Sequence, residues 1–307
     1  MALIAVTGAA GFIGSHLVDA LLAAGHRVRG LDDLSTGKRE NLDPRCELLI
    51  GDVADPEAVA RLMAGASGCF HLAAIASVAR TNEDWQGGHR VNLGGTITVL
   101  EAAREAGRIA VVYASSAAVY GDATGRVANE DMLPRPLSAY GADKLGSELH
   151  ASAGWHVHGV PSFGLRFFNV YGPRQDPKSP YSGVISIFAR RTADGQTIDI
   201  HGDGRQIRDF VHVSDVVAHL IAAMGHATEH KGAAVANVCT GRGTTVLELA
   251  RLLAEARRRA PDLRFGPARA GDIRESVGDP TLAAALLGCT ARVCLAAGLA
   301  TLVTVAA

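Results

Sequence analysis

Three glycines spaced three residues apart constrain this chain more than any other feature. Gly8, Gly11 and Gly14 follow a short apolar run at residues 3–7, and residues 15–24 then carry apolar side chains at helical spacing. This order is typical of a strand, a tight turn and a helix. Glycines in such a turn let the backbone approach a phosphate, whose charge is favoured at the positive end of the helix dipole. The pattern therefore predicts a dinucleotide site.

An aspartate supports this interpretation, which would be weak alone because 35 of the 307 residues are glycine. Asp32 ends the second apolar run, where a carboxylate can accept hydrogen bonds from both ribose hydroxyls. Because it would repel a 2′-phosphate, NAD is favoured over NADP. Asp52, in Gly-Asp-Val after the third run, is placed either to bind the adenine or to cap its strand.

Apolar runs alternate with helical segments along the chain. The runs lie at residues 3–7, 27–31, 46–51, 68–73, 108–115, 163–168 and 235–239, with helical segments around 55–64, 88–106 and 140–153. This alternation predicts an α/β fold with a doubly wound parallel sheet, a Rossmann fold. We expect residues 1–168 to form the dinucleotide-binding domain and 211–240 to return to it. Residues 169–210 and 241–307 would form a smaller, interleaved substrate lobe.

Tyr140 and Lys144 are the candidate reactive groups. Residues four apart share one face of a helix, so the Lys144 ammonium can lie beside the Tyr140 phenol and lower its pKa. The phenolate would then serve as a general base. The alternative is an accidental surface pair. The glycine turn and Ser116, in the upstream segment Ala-Ser-Ser-Ala-Ala-Val-Tyr-Gly, argue against that alternative.

Composition argues against several partners. The chain has 30 Lys and Arg against 31 Asp and Glu, a formal net charge of −1, so no basic field favours nucleic acid or an anionic membrane. The five cysteines are scattered and lack a Cys-x-x-Cys pair, which argues against a disulfide framework and a metal site. A reducing cytoplasm fits this usage.

Neither end of the chain is predicted to be a targeting or membrane segment. The first residues carry no charged leader before the apolar run, so we expect no export signal. Residues 293–307 are almost wholly apolar, but this length falls short of the roughly 20 residues that span a bilayer. We expect a packed terminal helix or strand there.

Several motifs together resemble one family. They are Gly-x-x-Gly-x-x-Gly, Asp32, Gly-Asp-Val, His71-Leu-Ala-Ala, Asn92, Ser116, the Tyr140 and Lys144 pair, and Arg-Phe-Phe-Asn-Val-Tyr-Gly-Pro-Arg. Through residue 280 or so, the chain resembles the extended short-chain dehydrogenases/reductases, most of all the UDP-glucose (UDP-galactose) 4-epimerases. The resemblance implies NAD-dependent inversion of C4 of a UDP-hexose through a 4-keto sugar. It also implies a homodimer, through helices near residues 89–106 and 140–153.

The resemblance further implies roles at matching positions. Ser116 would bind the sugar hydroxyl at C4, Tyr140 would take its proton, and Lys144 would hold the nicotinamide ribose. The other implied cofactor positions are Gly8, Gly11, Phe12, Ile13, Gly14, Asp32, Asp33, Asp52, Val53, Leu72, Ala73, Ala74, Asn92 and Phe167. The other implied substrate positions are Asn169, Val184, Asp199, His201, Arg208, Arg269, Asp272 and Ser276. Asn169 and the two arginines would meet the diphosphate, although each arginine has an ordinary surface charge as its alternative.

Small side chains then separate related reactions. The 4,6-dehydratases of this superfamily need an acidic pair directly after the serine or threonine, and the UDP-glucuronate decarboxylases keep a glutamate there. Ala117 and Ala118 cannot transfer a proton, so neither dehydration nor decarboxylation is expected here.

Ser276 matches a position where tyrosine excludes N-acetyl sugars, which implies that UDP-GlcNAc and UDP-GalNAc are also accepted.

Three alternatives stay open at this point. A UDP-glucuronate 4-epimerase would need donors for a carboxylate, which Arg174 and the serines at 182 and 186 could supply. A nucleotide-sugar reductase would release NAD(P)H, and Asp32 argues against it. A regulatory protein that senses NAD without turnover usually lacks the tyrosine or the lysine, and both are present here.

Overall fold

A computed structural model describes residues 1–176, 183–257, 259–268 and 273–304 of this chain, with the backbone only at 303 and 304. The strands are β1 (Leu3–Thr7), β2 (Arg27–Asp32), β3 (Glu47–Ile50), β4 (Gly68–His71), β5 (Ala110–Ser116), β6 (Ser162–Phe167), β7 (Asn169–Tyr171), β8 (Ile198–His201), β9 (Ile207–His212), β10 (Ala233–Val238), β11 (Gly243–Thr245), β12 (Leu263–Gly266) and β13 (Glu275–Ser276). The helices are α1 (Phe12–Ala23), α2 (Pro56–Met63), α3 (Val78–Glu83), α4 (Trp85–His89), α5 (Gly95–Glu105), α6 (Ala139–His158), α7 (Val184–Ala193), α8 (Val213–His230), α9 (Val246–Ala256), α10 (Thr281–Leu287) and α11 (Leu295–Thr304).

The central sheet has seven parallel strands in the described part of the chain, in the order β10-β6-β5-β4-β1-β2-β3. The order reverses beside β1, so a crevice opens between the carboxyl ends of β1 and β4. The predicted Rossmann fold is confirmed. β10 lies parallel to β6, with Ala233 opposite Ser162 and Val238 opposite Phe167, so the chain returns to this sheet after leaving it.

Alternation along the strands sends side chains into two cores, one on each face of the sheet. In β5, Val112 joins the core that α1 and α8 cover, whereas Val111 and Tyr113 join the core under α2, α5 and α6. In β1, Val6 joins the first of these cores and Ala5 joins the second. The strands therefore read as continuous apolar runs because both faces are covered.

Helix α6 places the reactive tyrosine in its first turn. Ser138 caps it by accepting a hydrogen bond from Gly141 N at 3.1 Å, and Gly159 ends it with a left-handed φ of 69°. The helix thus runs past the predicted end at residue 153. The predicted helix at 88–106 is instead interrupted, because a π-helical turn at Arg90–Gly94 separates α4 from α5. Such turns often occur at functional sites.

The remaining elements form a smaller lobe with its own core. β7, β9, β11 and β13 form one sheet, β8 pairs with β12, and α7, α9 and α11 pack around them. The terminal apolar segment contains α11, whose Leu299 is fully buried. Gly298 lies against Tyr171, since a Cβ there would be 2.1 Å from the phenol oxygen. Across the residues that the structure covers, every helix is too short or too polar to cross a bilayer.

Candidate active site

A cavity of about 610 Å³ opens at the carboxyl ends of the central strands, where the strand order reverses. Most of the residues predicted to bind the cofactor line it. They are Gly8, Gly11, Phe12, Ile13, Gly14, Asp32, Asp33, Asp52, Val53, Leu72, Ala73, Ala74, Tyr140, Lys144 and Phe167. Ser116 and Asn169, predicted for the substrate, line the same cavity. Residues far apart in sequence therefore share one site.

The glycine turn packs so closely that side chains would not fit. Gly8 has a φ of 66°, and a Cβ on it would lie 2.7 Å from Ala73 N. A Cβ on Gly14 would lie 2.0 Å from Gly8 O. Gly11 precedes α1 and offers no side-chain cap, so the first amides of that helix suit a phosphate acceptor. This turn fits the pyrophosphate of a dinucleotide.

Asp32 is fixed at the end of β2 by main-chain donors. Its Oδ2 accepts a hydrogen bond from Ala10 N and its Oδ1 from Leu34 N, both at 2.9 Å. Burial raises the pKa of Asp32 above its ordinary value, and the Leu34 and Ala10 amides oppose that shift. Each carboxylate oxygen has two lone pairs, so both can also accept a ribose hydroxyl.

Asp52 is paired with an arginine that sequence reasoning missed. Arg90 Nη2 lies 2.7 Å from Asp52 Oδ2, and both residues line the cavity. Asp52 Oδ1 also accepts a hydrogen bond from Ala54 N at 2.8 Å. Partial burial would raise the pKa of Asp52, but the Ala54 amide and the Arg90 guanidinium lower it below its ordinary value. The only signal for Arg90 was its position two residues before Asn92.

Asn92 lies behind the cavity wall rather than on it. It is 1% exposed, its Oδ1 accepts a hydrogen bond from Ile75 N at 2.8 Å, and its Nδ2 donates to Ile75 O at 3.3 Å. Ile75 itself lines the cavity. The structure therefore places Asn92 where it shapes the wall through Ile75, which differs from the predicted cofactor contact.

His71 supports the same wall as a neutral imidazole. Thr7 Oγ1 accepts hydrogen bonds from Leu72 N and Ala73 N, both at 3.1 Å, so its own hydroxyl donates to His71 Nδ1 at 2.8 Å. His71 Nε2 then carries the hydrogen and donates to Thr96 Oγ1 at 3.0 Å. Burial, aided by the charge of Lys144, lowers the pKa of His71 to about 3.

Ser116, Tyr140 and Lys144 meet at one wall of the cavity. A side-chain hydrogen bond joins Ser116 to Tyr140, and Ser116 Oγ accepts another from Ala118 N at 3.1 Å. Lys144 Nζ donates to Ala114 O at 2.8 Å and lies 5.8 Å from the centre of the Tyr140 ring. The helix spacing has therefore brought the ammonium and the phenol onto one face.

The direction of the Tyr140 pKa shift differs from the prediction. Burial raises the pKa of Tyr140 above its ordinary value, and the hydrogen bond with Ser116 is what opposes that shift. The prediction of a lowered pKa is wrong in direction, because desolvation prevails and Lys144 Nζ donates to the Ala114 carbonyl oxygen. Burial also lowers the pKa of Lys144, to about 8.

A buried ion pair fixes α6 against the strands beneath this wall. Arg166 of β6 binds Glu148 of α6 through two bonds of 2.9 and 2.7 Å and donates to Tyr120 Oη at 2.9 Å. Ser115 Oγ donates to Glu148 Oε1 at 2.5 Å. Glu148 lies one turn beyond Lys144, so this network sets the register between the helix and Ser116. Sequence reasoning had used Arg166 only as part of a motif.

Other substrate positions lie away from the cavity in the described part of the chain. Val184, Asp199, His201, Arg208 and Ser276 are absent from its lining. Asp199 pairs with Arg264, at 2.6 Å, and with Arg191, and both arginines lower its pKa. Arg208 Nη1 donates to Ile207 O at 2.9 Å, and Ser276 lies opposite Arg208 between β13 and β9. Arg269 and Asp272 fall outside the described residues.

Two segments from the smaller lobe reach the cavity. Gln175 and Gly183 line it, on either side of residues outside the described ranges. The cavity thus combines a glycine turn that fits a phosphate, a carboxylate that can accept ribose hydroxyls, and a hydroxyl pair beside a cation. This combination defines a dinucleotide-dependent enzyme of the short-chain dehydrogenase/reductase class.

Comparisons with known proteins agree with this class. The chain belongs to the NAD dependent epimerase/dehydratase family, whose model matches residues 4–265. It is 41% identical over 302 residues to a UDP-glucose 4-epimerase of Mycolicibacterium smegmatis, covering 96% of this chain and 95% of that protein.

Two solved structures have the same fold along nearly the whole chain. A UDP-glucose 4-epimerase of Thermus thermophilus in complex with NAD has a TM-score of 0.90 at 38% identity, covering 98% of both chains. A UDP-N-acetylglucosamine 4-epimerase of Methanobrevibacter ruminantium in complex with UDP-N-acetylmuramic acid has a TM-score of 0.93 at 30% identity, covering 99% of this chain and 97% of that one. The predictions of the family, of NAD as cofactor and of a nucleotide-sugar 4-epimerase are confirmed.

Proposed function

We propose that this chain inverts C4 of a UDP-hexose, with UDP-glucose and UDP-galactose as substrate and product. The observation that carries the proposal is the meeting of Ser116, Tyr140 and Lys144 in the cavity that contains the glycine turn. NAD, which the glycine turn and Asp32 would hold, would supply the hydride acceptor and donor. Because the cofactor ends each turnover in its original oxidation state, the reaction needs no external oxidant or reductant.

The side chains divide the proton chemistry between them. Ser116 Oγ binds the C4 hydroxyl, and Tyr140, as its phenolate, takes the hydroxyl proton as hydride leaves C4. Since burial raises the pKa of Tyr140, its phenolate has to be stabilised, and Lys144 at 5.8 Å from the ring is the nearby cation. On the return step the proton moves from Tyr140 back to the sugar oxygen.

The turn after Ser116 restricts the reaction to this hydride exchange. Ala117 and Ala118 begin a 3₁₀ turn, and Ala118 N donates to Ser116 Oγ. This segment therefore places a hydroxyl in the cavity without an adjacent acid or base. Elimination of water or loss of carbon dioxide would need one, so a keto sugar formed here keeps its other bonds.

Incubation with a panel of UDP-sugars, followed by chromatography, tests the proposal. We expect UDP-glucose and UDP-galactose to interconvert without added NAD, and mass spectrometry of the denatured protein's supernatant to detect NAD. A steady change in the amount of reduced nicotinamide during turnover would indicate a nucleotide-sugar reductase instead. Turnover of UDP-glucuronate alone would indicate the other epimerase, although Arg174, its expected carboxylate donor, is paired with Asp19 at 2.7 Å.

We also infer that N-acetylated UDP-sugars are accepted. The support is the small Ser276 side chain and the structural similarity to an enzyme named UDP-N-acetylglucosamine 4-epimerase. Ser276→Tyr should reduce turnover of UDP-GlcNAc selectively, whereas Ser276→Ala, which keeps the position small, should not. Equal losses on the glucose and N-acetylglucosamine series would contradict the inference.

We further infer a homodimer in a reducing compartment, the cytoplasm. Ile97 of α5 and Leu149 and Val157 of α6 are large apolar side chains exposed by 40%, 63% and 71%. They lie on helices adjoining a shallow groove that includes Ala153 and Gly154, and a second copy would cover them. Light scattering of the wild type should give twice the chain mass, and Leu149→Glu should give a monomer.

The reducing compartment is supported by cysteines that are all unpaired.

A further inference from the structure

Asp143 is a buried carboxylate that the proposed chemistry leaves unexplained. It is 4% exposed and precedes Lys144 on α6. Its Oδ1 accepts a hydrogen bond from His89 Nδ1 at 2.8 Å, but its Oδ2 is buried without a hydrogen-bond partner among the residues that the structure covers. Burying a carboxylate that is only half satisfied is costly, so its retention calls for a compensating role.

The partner of Asp143 faces outward. The His89 side chain is 57% exposed, and neither His89 nor Asp143 lines the cavity. Because an ionised carboxylate only accepts hydrogen bonds, Nδ1 is the nitrogen of His89 that carries the hydrogen. Asp143 can therefore act on the site only through a neighbour, and its neighbour in sequence is Lys144.

Lys144 is a cation in an unfavourable environment. It is 3% exposed and its one recorded hydrogen bond goes to the neutral Ala114 carbonyl. The titratable groups around it include Tyr140 on its own helix, neutral His71 at the end of β4, and Asp143. Glu148, one turn further along the helix, is paired with Arg166. Arg90, which lines the same cavity from the adjoining π-helical turn, is paired with Asp52. Among these groups, Asp143 supplies the negative charge that can stabilise the buried ammonium.

We propose that Asp143 is a positioning residue whose charge keeps Lys144 protonated at neutral pH, and that His89 holds the Asp143 carboxylate in place. The two effects on the pKa of Lys144 agree with this proposal: burial lowers the pKa to about 8, and the Asp143 charge opposes that lowering. The proposal deepens the proposed function, because a protonated Lys144 stabilises the phenolate of Tyr140. Asp143 itself touches neither substrate nor cofactor.

The test is a direct titration of Lys144 by NMR. The chain has four lysines, Lys38, Lys144, Lys178 and Lys231, so a sample labelled with ¹³C at lysine Cε gives few signals. Lys144→Arg identifies the signal of interest. In Asp143→Asn, which keeps an acceptor for His89 but loses the charge, the Lys144 midpoint should fall by roughly 0.5 to 1 pH unit. Asp143→Glu should restore most of it.

Two comparisons separate charge from packing. His89→Gln keeps the Asp143 charge, and its side-chain amide can still donate to the carboxylate, so its Lys144 midpoint should move much less than that of Asp143→Asn. An unchanged midpoint in Asp143→Asn, or equal shifts in both variants, would overturn the proposal. If Asp143→Asn fails to fold, Asp143→Ser provides a smaller neutral side chain for the same titration.

Activity gives a second readout. In Asp143→Asn the alkaline limb of the kcat profile should move to lower pH in parallel with the Lys144 midpoint, with KM little changed. A merely structural role would lower the melting temperature and leave the shape of the profile as it is, which would contradict the proposal. The NMR titration needs no turnover, so it stands even if the sugar assignment fails.

Discussion

Two polar residues beside the cofactor cavity and two in the smaller lobe are held in different ways. Asp32 and His71 are buried beside the cavity, and protein groups bind both oxygens or both ring nitrogens. In the lobe, Asp199 and Asp203 form ion pairs with arginines near the surface. Buried, fully bonded groups keep one geometry, whereas surface pairs are screened by water and can exchange partners. The geometry at Asp32 and His71 is thus fixed in advance, whereas the pairs at Asp199 and Asp203 can rearrange.

Removing the hydroxyl group of Tyr140 should have the largest effect on activity. Tyr140→Phe removes the proton acceptor, so kcat should fall by about 10²- to 10⁴-fold, while NAD still copurifies because the glycine turn and Asp32 are unchanged. Tyr171→Phe is the matched control, since its hydroxyl lies 3.5 Å from Leu295 O in the lobe core. It should keep most of the activity. Comparable turnover in the two variants would contradict the role of Tyr140.

Ion pairs on the two sides should differ in their contribution to stability. Glu148→Gln leaves the Arg166 charge buried and partly unpaired, which should lower the free energy of unfolding by about 3–5 kcal/mol. Arg274→Gln, which breaks the exposed pair with Asp203, should change the free energy of unfolding by less than about 1 kcal/mol. Urea unfolding of both variants checks this. Equal effects would show that the contrast between buried and surface pairs does not hold.

A methyl group in the glycine turn should separate cofactor binding from general helix stability. Gly14→Ala forces a Cβ to within 2.0 Å of Gly8 O, so the turn must shift. We expect loss of copurifying NAD and destabilisation of about 1–3 kcal/mol. Gly225→Ala in α8 meets nothing within 4 Å and should stabilise the protein by about 0.5–1 kcal/mol. If Gly14→Ala still copurifies with NAD, the close packing of Gly14 against the Gly8 carbonyl oxygen is not required for cofactor binding.

Acid should weaken the cavity wall gradually through His71. Its pKa is lowered to about 3 in the folded chain from an ordinary 6.5, so below pH 6.5 the unfolded chain binds the extra proton. The free energy of unfolding should therefore fall as the pH drops from 6.5 toward 3, by up to about 1.4 kcal/mol per pH unit. His71→Gln should flatten this slope in urea unfolding at pH 7 and pH 5. An unchanged slope would assign the acid sensitivity to other groups.

The sequence by itself determined the features that depend on local pattern. Gly8, Gly14, the apolar runs and the Tyr140 and Lys144 spacing were readable because backbone conformation, strand burial and helix periodicity follow from neighbouring residues. They predicted the Rossmann sheet, the dinucleotide crevice and the residues lining most of it. Resemblance added the sugar and the reaction.

Tertiary structure alone decided which distant groups meet and which charges they carry. No spacing pairs Arg90 with Asp52, His89 with Asp143, or Arg166 with Glu148, because these contacts join elements separated in the chain. The direction of the Tyr140 pKa was mispredicted for the same reason. Burial is a property of the assembled fold, and in this site the cost of removing water from a phenolate exceeds the effects that sequence spacing suggested.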